Sequence, residues 1–338
     1  MPRGELLKKL FRSYAHGDNQ AFHDVATEII RDEESKNNRV LASALRRHLG
    51  EGRPTQSRTQ DAELRPRSGK LTVLPFEREK QLPLVETIVP DRRASDLILN
   101  RSNQHLLLSL VREFRQRETL GAHGLRPRSR LLFCGPPGCG KTLSAEVFAH
   151  EVKLPLLVAS MDVLVSSLLG ETASNLRKIF DFASAEPVVL LLDEFDAIAR
   201  LRDDETLNGE LRRVVNSLLT LIEKFRGHGF VIAATNHEQQ LDSAIWRRFD
   251  EVVFFEKPSR NEIVRLLNLK FRNFARDFES REVAEALAGF CHADIERVCI
   301  SAIRRSILSG QHVVTKRRLL KSVALETRRR DIARHQQS

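Results

Sequence analysis

This chain of 338 residues has little of what several functional classes require. It holds one Trp and one Tyr, which leaves few platforms for stacking the bases of a single-stranded nucleic acid. Its four cysteines, Cys134, Cys139, Cys291 and Cys299, form no Cys-x-x-Cys pair and no His/Cys metal spacing, which argues against a zinc module or a disulfide framework. No apolar run approaches the length of a membrane span. The opening residues, Met1-Pro-Arg-Gly-Glu-Leu-Leu-Lys-Lys9, lack the uninterrupted apolar stretch of a signal peptide. A cytoplasmic protein with reduced thiols and no membrane span is expected.

At 41% hydrophobic residues the chain can build a real core, and its length suits one large domain with smaller ones. The net charge of +10 is uneven: from Ser301 to Ser338, ten Lys/Arg face two acids, Glu326 and Asp331, so this segment alone carries +8. A basic terminal segment binds nucleic acid or an acidic protein face, or is simply a solvated helix face.

The most specific signal is Gly135-Pro136-Pro137-Gly138-Cys139-Gly140-Lys141-Thr142, a Gly-x-x-x-x-Gly-Lys-Thr phosphate loop. The glycines let successive backbone N–H groups point at a phosphate chain, Lys141 reaches the outer phosphates, and the Thr142 hydroxyl ligates Mg²⁺. An apolar strand, Arg130–Cys134, enters the loop. A helix over 142–149 leaves it with its N-terminus toward the anion, so Leu143 joins the nucleotide-binding set. Alkylation of Cys139, inside the loop, is expected to block the site.

Fifty residues on, Val188-Val-Leu-Leu-Leu192 reads as a strand buried on both faces, ending in Asp193-Glu194-Phe195-Asp196. Asp193 is the second candidate Mg²⁺ ligand, and Glu194 the residue that polarises the attacking water. Asp196 is read as solvating the strand end. ATP and Mg²⁺ are the implied ligands.

Residues 1–50 carry apolar residues at helical spacing, as a three-helix bundle or a hairpin that folds against the main domain. Residues 51–93 are a linker by composition, with 83–93 an ordered loop leading into the core. Over 94–258 a helix at 102–119 precedes alternating strands and helices: strands at 154–159, 188–192, 230–234 and 251–255, helices at 176–183 and 211–225. That alternation predicts an α/β fold with a parallel, doubly wound sheet flanked by helices. From Ser259, with Glu262 completing a capping box, residues 259–338 read as purely helical, at 280–288, 293–308 and 316–330, with Thr315 capping the last.

Together these motifs, with Ala234-Thr-Asn236 and Leu241-Asp-Ser-Ala-Ile-Trp-Arg-Arg-Phe-Asp250, resemble the AAA family of ATPases over about 95–335. The likeness is to the clade of ring-forming protein remodellers that includes katanin, spastin and the ESCRT-disassembling enzyme. The resemblance implies that Asn236 is the sensor that orients the lytic water, and that Arg247 and Arg248 are arginine fingers reaching the γ-phosphate of a neighbouring subunit. It implies a small helical lid over 259–335, with Ala293-Asp294 matching part of a Gly-Ala-Asp segment; His292 stands where the family has glycine and is read as a helix-entry residue. It also implies a pore loop over 166–172, in which Leu168, beside Leu169 and Gly170, replaces the aromatic of polypeptide-threading relatives. Leu168 otherwise reads as a packing residue outside any pore. The N-terminal helices occupy the place of an adaptor-binding domain.

Three functions follow from these signals. The first is a hexameric ATPase that remodels or translocates a protein substrate. The second is an ATPase switch subunit that gates a partner effector or protease. The third is a nucleic-acid-stimulated motor or loader that uses the basic C-terminal segment.

Overall fold

The computed structural model describes residue 9 and residues 24–28, 85–161, 169–197, 209–241 and 243–335. The chain divides into two units, Met1–Leu71 and Thr72–Ser338. In the first, Lys9 and residues 24–28 are helical. The remainder of the expected N-terminal helices lies outside the described residues, as do linker residues 51–84 and Leu168. Among the described residues no helix is long and apolar enough to cross a membrane.

Among the described residues, the second unit is built on a six-stranded sheet. Its strands are β1 (Glu86–Ile88), β2 (Arg130–Cys134), β3 (Leu156–Ser160), β4 (Val189–Asp193), β5 (Phe230–Thr235) and β6 (Glu251–Phe254). They lie in the order β1-β3-β4-β5-β2-β6. Only β1 is antiparallel, pairing Thr87 with Leu157; the neighbours from β3 to β6 run parallel. The sequence alternates which face each strand residue covers. Leu132, Leu190, Leu192, Val231 and Ala233 enter one apolar cluster, while Leu131, Phe133, Val189, Leu191 and Ile232 enter the other. Both faces are apolar because helices cover both. Helices α1 (Arg101–Arg115), α2 (Arg117–Ala122) and α3 (Lys141–Val152) precede α4 (Leu169–Ala185) and α5 (Gly209–Lys224) in the chain. Leu107, Leu110 and Phe114 of α1 and Phe148 of α3 pack on one side; Ile179 and Phe180 of α4 and Leu218 and Ile222 of α5 pack on the other. Each such residue contributes about 1.5–3 kcal/mol by burial.

After β5 come a one-turn helix, α6 (Ser243–Trp246), and then β6. The last segment holds α7 (Arg260–Lys270), β7 (Ala275–Arg276), α8 (Ser280–Val283), α9 (His292–Leu308), β8 (Val313–Val314) and α10 (Lys316–His335). It has its own core of Ile263, Leu267, Leu287, Ile295, Val298 and Leu319. The Ser259–Glu262 capping box forms as its spacing predicts, and the Arg318 N–H points at the Thr315 hydroxyl at 3.4 Å.

The structure corrects three expectations. The loop over 83–93 contains an edge strand, β1. The helix over 102–119 is two helices, which break at Gln116. The segment from Ser259 is not purely helical, because β7 and β8 pair in a short parallel ladder.

Candidate functional site

Strand β5 lies between β2 and β4, so the ends of all three strands open on one edge of the sheet. There they bring together side chains separated by up to about a hundred residues, at the position where open α/β sheets bind ligands. The phosphate loop follows β2, Asn236 follows β5, and Asp193 and Glu194 close β4. The β4 end is pinned by the Phe195 N–H, which donates to the Ala234 carbonyl at 2.9 Å.

The loop needs its glycines for measurable reasons. Gly135 has φ +135, and a Cβ there would lie 2.0 Å from the Phe255 carbonyl oxygen. Gly138 has φ +73, and its Cβ would lie 2.7 Å from the Cys291 sulfur. At the mouth of α3, Lys141 is 7% exposed. Its Nζ donates to the carbonyls of Gly135 (2.6 Å) and Pro136 (3.0 Å) and to Asn236 Oδ1 (2.7 Å). Burial pulls its pKa below the ordinary lysine range, against opposing pulls that include the Asp193 and Asp196 charges. Lys141 is thus a nearly enclosed cation whose present partners are neutral oxygens that a phosphate can replace.

The Thr142 hydroxyl donates to Asp193 Oδ2 at 3.0 Å, and Asp193 Oδ1 accepts the Glu194 N–H at 2.9 Å. Glu194 has φ +58, a left-handed conformation that costs a non-glycine residue about 1–2 kcal/mol. Such strain at the edge of a cleft points to function. Its Oε2 accepts a hydrogen bond from the Ser160 hydroxyl at 3.0 Å. Ser160 is a site residue that the sequence reading missed. As the last residue of β3 it emerges beside Glu194, a placement that follows only once the strand order is known.

Asp196 does not solvate the strand end, as its sequence position suggests. It is buried, and its Oδ1 lies 3.4 Å from the Asn236 N–H. The turn that pins Phe195 also carries Asp196 inward. Leu143 lies in the first turn of α3, beside Thr142. Ala293 donates its N–H to the Gly138 carbonyl at 3.0 Å, which ties the start of α9 to the crest of the loop. His292 opens α9 as expected, and it also lines a small cleft with Leu99, Asn103, Cys139, Lys257 and Glu262. Burial lowers its pKa.

Arg247 and Arg248 are not part of this cluster. Arg247 is exposed; Arg248 donates to the Ala244 carbonyl and pairs with Glu223 at 3.5 Å. Their turn nevertheless touches the β4 end, because Phe249 packs edge-on against Phe195 at 6.0 Å between ring centroids. Leu169 and Gly170 begin α4.

Cys139 does not present its thiol to the loop. It is 1% exposed and packs into the apolar cluster beneath α3. Burial pushes its pKa up to about 11. Because only the thiolate is the nucleophile, alkylation of Cys139 in the folded protein is expected to stay at background near about pH 7.5 and to rise about tenfold per pH unit toward its pKa. Mass spectrometry of the labelled peptides checks this, and fast labelling at neutral pH would contradict the buried placement.

The family model described as "ATPase family associated with various cellular activities (AAA)" matches residues 131–257, the stretch that contains every strand end described above. The chain is 48% identical over 330 residues to a Sinorhizobium fredii protein described as an uncharacterized AAA family ATPase, covering 98% of this chain and 97% of that one. It is 34% identical over 240 residues to a cell division cycle protein 48 homolog of Archaeoglobus fulgidus, covering 68% of this chain and 32% of that protein. It therefore spans nearly the whole of the first relative and about a third of the second. The placement beside katanin and spastin is narrower than these relatives establish.

Proposed function

Because this chain belongs to the AAA family of ATPases and is a P-loop enzyme that hydrolyses ATP, we propose that it works as a ring, a hexamer, in which each active site is completed by the neighbouring copy. On this reading hydrolysis drives the remodelling of a protein substrate in the cytoplasm, where its four free cysteines stay reduced.

The observation that carries the reading is the contrast between the two halves of the site. Lys141, Thr142, Glu194 and Asn236 gather at one sheet edge with no arginine among their hydrogen-bond partners in the described residues. Arg247 is exposed and Arg248 half-buried, on a turn that packs against the end of β4. A guanidinium supplied by a second copy would neutralise charge on the transferring phosphoryl group, worth about 10³–10⁵ in rate in related chemistry.

Lys141 exchanges the Gly135 and Pro136 carbonyls for phosphate oxygens. The Asn236 amide, released from Lys141, orients the attacking water. The Glu194 carboxylate turns from Ser160 to that water and takes its proton as the water oxygen attacks the γ-phosphorus and ADP leaves. Thr142 Oγ1 and Asp193 Oδ2, two hard oxygen donors 3.0 Å apart, fit Mg²⁺, which needs only one or two protein oxygens beside phosphate and water. A Mg²⁺ held by Thr142 and Asp193 would supply electrostatic stabilisation of the charge that develops on the phosphoryl group. Residues 1–50 recruit the substrate, and Leu168, Leu169 and Gly170 grip it.

A protein substrate is favoured over nucleic acid because the chain has one Trp and one Tyr for base stacking, and because at least three of the ten basic side chains of the C-terminal segment have partners within the lid. Lys316 pairs with Glu282 at 2.8 Å, Arg318 donates to the Ser309 hydroxyl at 2.7 Å, and Arg330 is tied to Asp294 at 3.6 Å. The test is the mass of the Glu194→Gln protein by light scattering, with and without ATP and Mg²⁺. Growth on ATP to about six times the monomer supports the ring, and a persistent monomer at all concentrations contradicts it.

A further inference from the structure

The +8 segment at the C-terminus reads in sequence as a surface for a partner, yet one of its arginines points inward. The start of α9 sits on the phosphate loop. The Ala293 N–H is one of the helix's unsatisfied first-turn donors, and it bonds the Gly138 carbonyl at 3.0 Å. A Cβ on Gly138 would lie 3.1 Å from the Ala293 Cβ, so the two backbones are in close contact. Whatever fixes residues 289–294 therefore fixes the crest of the loop.

Arg330 of α10 fixes them at three points. Its Nη2 donates to the Gly289 carbonyl at 3.0 Å. Its guanidinium carbon sits 4.4 Å from the centroid of the Phe290 ring. Its Nε lies 3.6 Å from Asp294 Oδ2. Asp294 is 8% exposed, and the same oxygen caps α9 by accepting the Cys291 N–H at 3.3 Å. Arg297 completes the cluster by pairing with Asp294 and, at 2.9 Å, with Glu326 of α10. Arginine suits this place because one planar group stacks on a ring and donates in its own plane, which lysine cannot do.

We propose that Arg330 is a positioning residue for the nucleotide site: it holds the 289–294 turn, and through Ala293 the crest of the phosphate loop, in the conformation that binds nucleotide. The proposal rests on the reading of Gly135–Thr142 as that site. Arg330 touches no reacting atom. It acts on affinity and leaves the chemical step alone.

The test is the Kd for ADP, by titration calorimetry on the full chain, in Arg330→Ala, Arg330→Lys and Arg328→Ala. Arg328 is an exposed arginine on the same helix and controls for loss of charge. Arg330→Ala is expected to raise Kd about tenfold, equivalent to about 1.4 kcal/mol. KM for ATP should rise in parallel, with kcat at saturating ATP held within about twofold. Arg330→Lys should fall between Arg330→Ala and the parent, and Arg328→Ala should match the parent. A cooperatively folded Arg330→Ala protein with the parent Kd overturns the proposal. So does an Arg328→Ala protein that weakens binding equally, because net charge alone would then be the cause. If Arg330→Ala does not fold, Arg330→Lys decides: an unchanged Kd overturns the proposal and a Kd raised severalfold supports it. A parent protein that binds ADP but hydrolyses nothing defeats the hydrolytic reading and leaves this test intact. A parent that binds no ADP defeats the site reading and the proposal with it.

Discussion

Glu194→Gln is expected to bind ATP with near-parent affinity and to lose turnover by about 10²–10⁴-fold, the range for removing a general base. The substitution preserves shape. A glutamine oxygen can still accept the Ser160 hydroxyl, now 3.0 Å from the Glu194 carboxylate. The backbone strain at φ +58 is unchanged, and the Glu194 N–H keeps its bond to Asp193. Folding therefore changes little, and the loss falls on proton transfer. Phosphate release under saturating ATP, paired with a thermal melt, checks both halves. Turnover at the parent rate would remove Glu194 from the role of base. A large fall in melting temperature would show that the carboxylate holds the strained turn together.

Lys141→Ala is expected to weaken ATP binding by more than about a hundredfold. Two or more charge-assisted hydrogen bonds to phosphate, each about 1.5–3 kcal/mol, exceed that factor together. In the free protein the same substitution leaves the Gly135 and Pro136 carbonyls and the Asn236 amide without their shared donor, so the loop loosens as well. The sign of the pH dependence follows from burial. The pKa of Lys141 is depressed, so its charge is lost at a lower pH than that of an exposed lysine. ATP affinity should therefore decline earlier on the alkaline side than ordinary lysine titration would produce. Nucleotide titration of Lys141→Ala and a pH series on the parent measure these effects, and near-parent affinity in the variant contradicts the phosphate-cradle assignment.

The phosphate loop and the β4 carboxylates are legible in sequence because their chemistry is local. The glycine spacing, the lysine and the following threonine are contiguous, and five apolar residues before Asp193, two of them β-branched, have the length and composition of a strand buried on both faces. Strands β2 and β5 are legible for the same reason. The short pairings are not. Strand β1 has three partly exposed residues, with no apolar run to mark it. The β7–β8 ladder joins two residues to two residues across the whole of α9. Ser160 and Asp196 gain their places from strand order and from the turn at Phe195, neither of which is written in their neighbours. Arg330 is the extreme case. In sequence it is one of three consecutive arginines, and only the packing of α10 on α9 selects it from Arg328 and Arg329.

The central claim is that one copy's arginines complete another copy's site. Mixing is its most direct test. An Arg247→Ala/Arg248→Ala protein binds ATP but offers no fingers, and Lys141→Ala offers fingers but binds no ATP. Each alone should be nearly inactive. Phosphate release from their equimolar mixture should recover a substantial fraction of parent turnover, because intact fingers then face sites that hold ATP. A mixture no more active than the sum of its components, or a double-arginine variant with parent turnover on its own, would contradict the shared site.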